Sequence, residues 1–477
     1  MDSFKVAGRS IGTFEAITSL TRVIVKSVTM ISWELHPFHT LGGTAYAIRR
    51  LADQLTELEI KTRVLLPDCV ETHPGKDLSP LLIPTLLKMR VEQLRAPRVL
   101  QCSEFSRSAL AALEEIKANG GSDAVIAHSL EGAMSIILRN GDRSGGPSVF
   151  WLHSLYDPPI SDLSQAQRHL LPSGSLLSSA VMMADIVVTS TGILKDAREF
   201  EWPEPLKELQ QALKIASAEH RVLTVESTGC LPHAPKDSQQ KTIQRSNLEN
   251  LKNFPSPYVL FPGRPTVDKG LGMFAAIAER LRAYNIACVA VQGPAQQAKP
   301  ENPSRNAPIY WLPWLAQDEL LVAMRNAACT VLPSITEGFG LAAAESISQG
   351  VATLYQQVGG HHDLETLPNA LPVPLTTNER AQLYGLWSEL IESHDSWPIW
   401  NRYEISLRQL IDRWVEAIRS VVDRADVGMG GIEKADASER PVEEQWGDQL
   451  RRRIEGQRSE VRGQKSEVRG QKSVSSV

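Results

Sequence analysis

Cysteine is scarce and scattered: Cys69, Cys102, Cys230, Cys288 and Cys329 are the five in 477 residues, with no Cys-x-x-Cys pair among them. An odd, dispersed set argues against a disulfide framework or a cysteine-based zinc site, and fits a reducing, cytoplasmic setting. Long apolar runs are missing too. The longest candidate, near 176–188, is interrupted by Asp185, so no stretch reads as bilayer-spanning. The first 29 residues hold only short, broken apolar stretches, which is not a signal-peptide pattern. Charge of one sign is also lacking. A net charge of −5 leaves no broad basic footprint for nucleic acid.

What is present is alternation. Past residue 30, short apolar strands alternate with helical stretches, the mark of doubly wound α/β units, and the length suits two or more domains. The boundaries expected are an N-terminal extension over 1–29, a first α/β domain over 30–230 and a polar linker over 231–257. A second α/β domain over 258–394 has its strands ending near Leu375. A helical region over 395–425 completes the tryptophan-rich stretch 379–424, which contains Trp387, Trp397, Trp400 and Trp414. Residues 426–477 differ in kind. Seven-residue units run from Gly456 to Arg462, Gly463 to Arg469 and Gly470 to Ser476, each with a glycine and at most one large aliphatic. That excludes a coiled-coil seam and predicts a disordered tail. From Arg451 the tail carries eight basic and three acidic residues, which permits weak contact with anionic lipid, although solvated disorder is the simpler reading.

Two segments carry chemistry. Residues 333–345, Pro-Ser-Ile-Thr-Glu-Gly-Phe-Gly-Leu-Ala-Ala-Ala-Glu, follow an apolar strand over Ala327 to Leu332 and run through a Gly-Phe-Gly turn into helix formers. Glycines let the backbone approach a ligand, and a new helix end favours an anion. Glu337 and Glu345, eight residues apart, can both reach polar groups of one ligand. A phosphate bearing hydroxyl-rich groups suits such a site; a surface turn with two solvated acids is the alternative. Residues 258–270, Tyr-Val-Leu-Phe-Pro-Gly-Arg-Pro-Thr-Val-Asp-Lys-Gly, run an apolar strand into a loop with Arg264 and Lys269, then a helix over Leu271 to Tyr284. Two cations there can neutralise a diphosphate, Arg264 as a planar fork and Lys269 as a point charge. Gly270 and Gly272 mimic a dinucleotide fingerprint only weakly. They lie several residues past the strand, and no acid stands about twenty residues on.

Together the segments resemble the retaining nucleotide-sugar glycosyltransferases of the GT-B fold, specifically glycosyltransferase family 4, whose Gly-Arg…Lys-Gly loop and Glu-Gly-Phe-Gly-Leu…Glu segment stand about seventy residues apart, as here. Further similar pieces follow in order. They are Gly42-Gly43 before an amphipathic helix through Arg49 and Leu55, strands over Asp123 to His128 and Val149 to His153, a strand over Ala184 to Ser190 that closes the first half, and Val358-Gly359-Gly360. The resemblance spans roughly residues 30–420 and implies two Rossmann-like domains facing a cleft, with a C-terminal helix crossing back to the first domain. It implies that Arg264 and Lys269 hold the donor diphosphate and that Glu337 orients donor-sugar hydroxyls, aided by the backbone of Phe339, Gly340 and Leu341. Glu345 would bind the ribose, His153 would stand beside the donor sugar, and Gly42 and Gly43 would approach the phosphates or the acceptor. His128 would line the acceptor side, while His36 and His39 read as solvent-facing.

The reaction implied is retaining transfer of a hexose from a nucleotide diphosphate sugar to a carbohydrate or other hydroxyl acceptor. It proceeds by front-face attack without an enzyme nucleophile. The nucleotide sugar is a co-substrate, and no cofactor is implied. Asp-x-Asp, the metal motif of the other large glycosyltransferase fold, occurs nowhere, which predicts metal-independent catalysis. Departures are mild: Glu345-Ser346-Ile347-Ser348 replaces Glu-Ala-Met-Ala, Glu226-Ser227-Thr228-Gly229-Cys230 stands where Pro-Asn-Gly is usual, and Thr40-Leu41-Gly42-Gly43 replaces the Lys-Thr-Gly-Gly of bacterial glycogen synthases. An epimerase-like GT-B enzyme or a catalytically silent GT-B binding protein are the competing readings. Retention of Arg264, Lys269 and Glu337 argues against the silent one.

Overall fold

Apolar runs of four to seven residues build two wholly parallel sheets in a computed structural model. It describes residues 25–35, 43–68, 79–89, 98–139, 146–153, 155, 173–202, 204–226, 257–266, 268–292, 308–392, 396–426 and 447–456. The first sheet holds β1 (Ser27–Ile31), β2 (Lys61–Pro67), β3 (Leu82–Leu87), β4 (Ala124–His128), β5 (Ser148–Trp151), β6 (Ile186–Ser190) and β7 (Val222–Val225), in the order β3-β2-β1-β4-β5-β6-β7. The second holds β8 (Tyr258–Phe261), β9 (Ala287–Val291), β10 (Ile309–Leu312), β11 (Cys329–Leu332), β12 (Thr353–Gln356) and β13 (Ala370–Val373), in the order β10-β9-β8-β11-β12-β13. Strands covered on both faces read as unbroken apolar runs, and β4, β5, β6, β8, β9 and β11 are buried along their whole length.

Helices α1 (Gly43–Glu57), α2 (Arg98–Ala118), α3 (Ser129–Arg139), α4 (Ser173–Met183), α5 (Thr191–Glu199) and α6 (Glu204–Ala218) belong to the first domain. The second has α7 (Leu271–Leu281), α8 (Gln317–Asn326), α9 (Leu341–Ser348), α10 (Thr377–Glu392), α11 (Ser396–Glu404) and α12 (Arg408–Asp426). In each sheet the strand order reverses at one place, beside β1 and β4 in the first and beside β8 and β11 in the second. Connections leaving such neighbours diverge to opposite faces and open a crevice at the carboxyl ends of the strands. That fixes where a ligand can sit.

The chain departs from expectation at both ends. The first strand starts at Ser27 rather than Met30, because the Lys26 and Ser27 amides donate to the Asp123 carboxylate at 2.7 and 2.9 Å and Ser27 pairs with Lys61. The strand expected to close the first half, β6, is followed by β7 at the sheet edge. Helix α12 lies on α7, β11 and β13 of its own domain, with Trp387, Trp400 and Trp414 buried in the core. A C-terminal helix does lie on the first domain, further along than expected. Residues 447–456 (α13) are helical within the segment expected to be disordered. Leu450 and Ile454, one turn apart, are buried in the core formed by β1, β2 and α1. The Gly447 amide donates to Gln54, the Val25 amide donates to Glu455, and Arg453 donates to the His220 carbonyl. The linker 231–256, the heptapeptide repeats beyond 456, and Gly42, His36 and His39 lie outside the described residues. Among the described residues no helix is long and apolar enough to cross a membrane.

Truncating either anchor of α13 should leave a cavity in the first domain. Leu450→Ala and Ile454→Ala are each expected to cost about 2 to 5 kcal/mol, read by urea denaturation. Unchanged midpoints would mean that α13 does not hold the domain together.

Candidate functional site

The two chemistry-bearing loops leave adjacent strands, β8 and β11, which pair at Val259 and Cys329. Two local contacts bind them to each other. The Ile335 amide donates to the Asp268 carbonyl at 2.9 Å. Gly270, the residue before α7, has φ of 81° and presses its Cα against the Pro333 carbonyl, where a Cβ would collide. Only glycine meets both demands. This clasp brings Lys269 and Glu337 together: the ammonium donates to Glu337 Oε1 at 2.9 Å, and Ser334 Oγ donates to the same oxygen at 3.0 Å. Burial alone would push Glu337 up. The Lys269 charge, His361, and the hydrogen bonds from Lys269 and Ser334 outweigh it and hold the carboxyl below its ordinary value. One of the three Lys269 donors is thus engaged, and the ammonium has no second carboxylate among the described residues. Arg264, half-buried past the end of β8, pairs with no carboxylate among the described residues.

The Gly338-Phe339-Gly340 turn leads into α9. Gly340 precedes the helix with φ of 63° and lies against the His361 ring, where again no side chain fits. His361 is buried, and its Nδ1 meets the Gln356 carbonyl at 2.8 Å. A lone pair cannot face a carbonyl oxygen, so the proton is on Nδ1 and Nε2 is an acceptor. Glu345, a turn further into α9, belongs to a separate cluster. It accepts from Gln317 Nε2 of α8 at 2.7 Å, and burial raises its pKa to about 7 against the opposing Gln317 bond. Tyr46 of α1 reaches this cluster from the other domain, its hydroxyl pushed up to about 12 by burial, Glu345 and Asp318.

From the first domain, His128 ends β4 and His153 follows β5, two strands that pair at His128 and Trp151. His128 Nδ1 and His153 Nε2 are 2.8 Å apart. Both rings are buried, which holds His153 neutral with a pKa near 3; burial, and after it the neighbouring His153, also hold His128 well below the ordinary histidine value. Phe339 crosses from the second domain to meet them, its ring centroid 5.7 Å from His153 and 6.4 Å from Trp151. The domains also join through α5: Asp196 accepts from the Gly359 amide at 2.7 Å and meets His362 at 3.1 Å, with Arg380 stacked over Phe200.

Of the residues singled out in the sequence, Lys269 and Glu337 touch, and Phe339 touches His153. Gly340 seats against His361, Leu341 packs at the edge of the first-domain core, and Glu345 stands in its own cluster. Gly43 opens α1, while Gly42 lies outside the described residues. His128, expected to line the acceptor side, is instead buried behind His153 because β4 and β5 are neighbours. Sequence reading missed Ser334, His361, Gln317 and Tyr46. Ser334 lies inside the 333–345 segment, His361 abuts Val358-Gly359-Gly360, and Tyr46 stands three residues past Gly43; for Gln317 no signal exists.

Residues 242–366 match the family model for glycosyl transferases group 1, a span that contains both loops and Val358-Gly359-Gly360. The backbone is similar to the catalytic domain of starch synthase IV from Arabidopsis thaliana, solved with ADP and acarbose. That likeness covers 84% of this chain and 100% of the other, with a TM-score of 0.56 at 16% identity. It is also similar to sucrose-phosphate synthase from Thermosynechococcus elongatus, over 83% of this chain and 99% of the other, with a TM-score of 0.51 at 15% identity. Curated proteins yield no sequence match. The architecture is therefore GT-B, and the chain carries a glycosyltransferase domain.

Glu345 offers a test of the electrostatics. Its folded pKa near 7 exceeds the ordinary 4.5, so the charged form is penalised in the fold; the penalty is absent below about pH 4.5 and complete above about pH 7. Glu345→Gln keeps a carbonyl for Gln317 and should melt higher than the parent at pH 8, the gain vanishing at pH 4. A gain that is the same at both pH values would show that burial of this carboxyl is not the cause.

Proposed function

We propose that this glycosyltransferase domain uses a nucleotide diphosphate sugar and transfers its hexose, with retention, to a hydroxyl acceptor. The observation that carries the reading is the part-buried Lys269–Glu337 pair at the junction of β8 and β11, with Phe339, two residues past Glu337, meeting His153 of the other domain. Arg264 and Lys269 would hold the diphosphate and stabilise the charge that grows on it as the anomeric C–O bond breaks. Stabilisation aimed at developing charge is usually the largest catalytic contribution. Glu337, kept ionised by Lys269, accepts hydrogen bonds from donor-sugar hydroxyls. The backbone of Phe339, Gly340 and Leu341 and the neutral His153 complete that pocket, while Glu345 takes the ribose hydroxyls and Gly42-Gly43 approaches from the first domain.

The acceptor hydroxyl attacks the anomeric carbon on the face that the diphosphate leaves, and its proton passes to the departing phosphate oxygen. One C–O bond forms, one breaks, and configuration is kept. No side chain needs to become a nucleophile. Two protein cations can do for the diphosphate what a metal ion does elsewhere, which supports metal-independent transfer.

Lys269→Ala and Glu337→Ala should each lower transfer at least about a hundredfold while the protein stays folded, as expected for the loss of one transition-state contact. Thermal shifts with UDP-, GDP- and ADP-sugars would identify the donor and should be lost in Lys269→Ala. Near-normal transfer in both variants would overturn the site. Activity should survive EDTA; its loss, restored by a divalent cation, would overturn the metal-independent mechanism.

A further inference from the structure

A neutral imidazole can offer either a proton or a lone pair, and for His153 the choice is made by its neighbour. One proton lies between His128 Nδ1 and His153 Nε2, which are 2.8 Å apart. The other His128 nitrogen, Nε2, is buried without a hydrogen-bond partner among the described residues. Two arrangements satisfy the short contact. If His153 donates, neutral His128 must carry its own proton on Nε2, a buried N–H with nothing to receive it. If His128 donates, its Nε2 is left with a bare lone pair. Orphaned buried donors are rarer than under-used acceptors, so the second arrangement wins. It also places the single proton of neutral His153 on Nδ1. Neither ring can readily turn out of this register. Trp151 stacks on His153 at 5.7 Å and 13° and on His128 at 5.8 Å and 25°, while the Phe339 ring meets His153 at 5.7 Å and 61°.

We propose that His128 is a positioning residue for sugar transfer: by donating its Nδ1–H to His153 Nε2, it holds His153 as the Nδ1–H tautomer, a hydrogen-bond donor toward the sugar oxygens of the substrate. The proposal rests on the reading that His153 meets the donor sugar. It assigns the polarity of that contact. With Nε2 engaged by His128 and Nδ1 protonated, His153 has no lone pair with which to take a proton from the acceptor hydroxyl. It recognises oxygen and does not act as a base. An orienting partner that fixes an imidazole tautomer has large kinetic leverage where a carboxylate plays that part, and His128 would play it here.

The tautomer can be read directly. In the full chain labelled with 15N-histidine, long-range 1H–15N correlations distinguish Nδ1–H from Nε2–H rings, and His153→Gln assigns the relevant pattern. The parent should show His153 as Nδ1–H. His128→Asn, whose amide N–H replaces the Nδ1–H, should keep that pattern and most of kcat. His128→Leu should turn it into a mixture or into Nε2–H and lower kcat by at least about tenfold. A parent spectrum with His153 as Nε2–H, or an Nδ1–H pattern unchanged in His128→Leu, would overturn the proposal. The spectrum is recorded without substrate, so a wrong assignment of the donor site shows in transfer assays and leaves the tautomer readout intact.

Discussion

The clasp between the β8 and β11 loops is the contact on which the rest depends. A single backbone hydrogen bond from Ile335 to Asp268, together with a glycine pressed to the Pro333 carbonyl, sets two loops from distant parts of the sequence at a fixed separation. An ammonium and a carboxylate held 2.9 Å apart in a part-buried setting are worth having only if their geometry is preset, since desolvating two charges costs more than a loosely placed pair returns. Here backbone contacts do the presetting, and the side chains meet as a result. The pair follows β8 and β11, the two strands beside which the strand order reverses, the place where open α/β sheets form a crevice.

The second domain does not work alone. Phe339, from the turn between the two glutamates, belongs to the same buried cluster as Trp151 and the core strands of the first domain. Gly192 of α5 approaches the Gly359 carbonyl so closely that no side chain fits, and Asp196 receives the Gly359 amide. The segments that carry ligand-binding groups in one domain are thus packing elements of the other. Any movement between the domains acts on the Gly338-Phe339-Gly340 turn directly, without an intermediary.

Much of this was legible in the residues, for identifiable reasons. Strands buried on both faces announce themselves as apolar runs, so β4, β8 and β11 could be placed by inspection. Gly270 and Gly340 stand at positive φ, and that need explains why the loops are glycine-rich. Strand adjacency was not legible from composition or spacing. The meetings of Lys269 with Glu337 and of His128 with His153 both follow from which strands are neighbours, a tertiary property; for the first pair the family resemblance supplied the link. Glu345 illustrates the limit: it stands eight residues past Glu337, inside α9 while Glu337 lies in the loop before it, and it faces Gln317 and Tyr46. Helix α13 was illegible because only Leu450 and Ile454 mark it, in a stretch dominated by arginine and glycine repeats.

That last helix has a consequence for how the molecule is made. The sheet of the first domain is complete in sequence at Val225, yet its core is closed by Leu450 and Ile454. During synthesis the apolar side chains of β1, β2 and α1 that meet Leu450 and Ile454 therefore gain those partners only after the second domain has been made. Maturation of the two halves is thereby ordered, since the core of the first domain is completed by residues that follow the second domain in sequence.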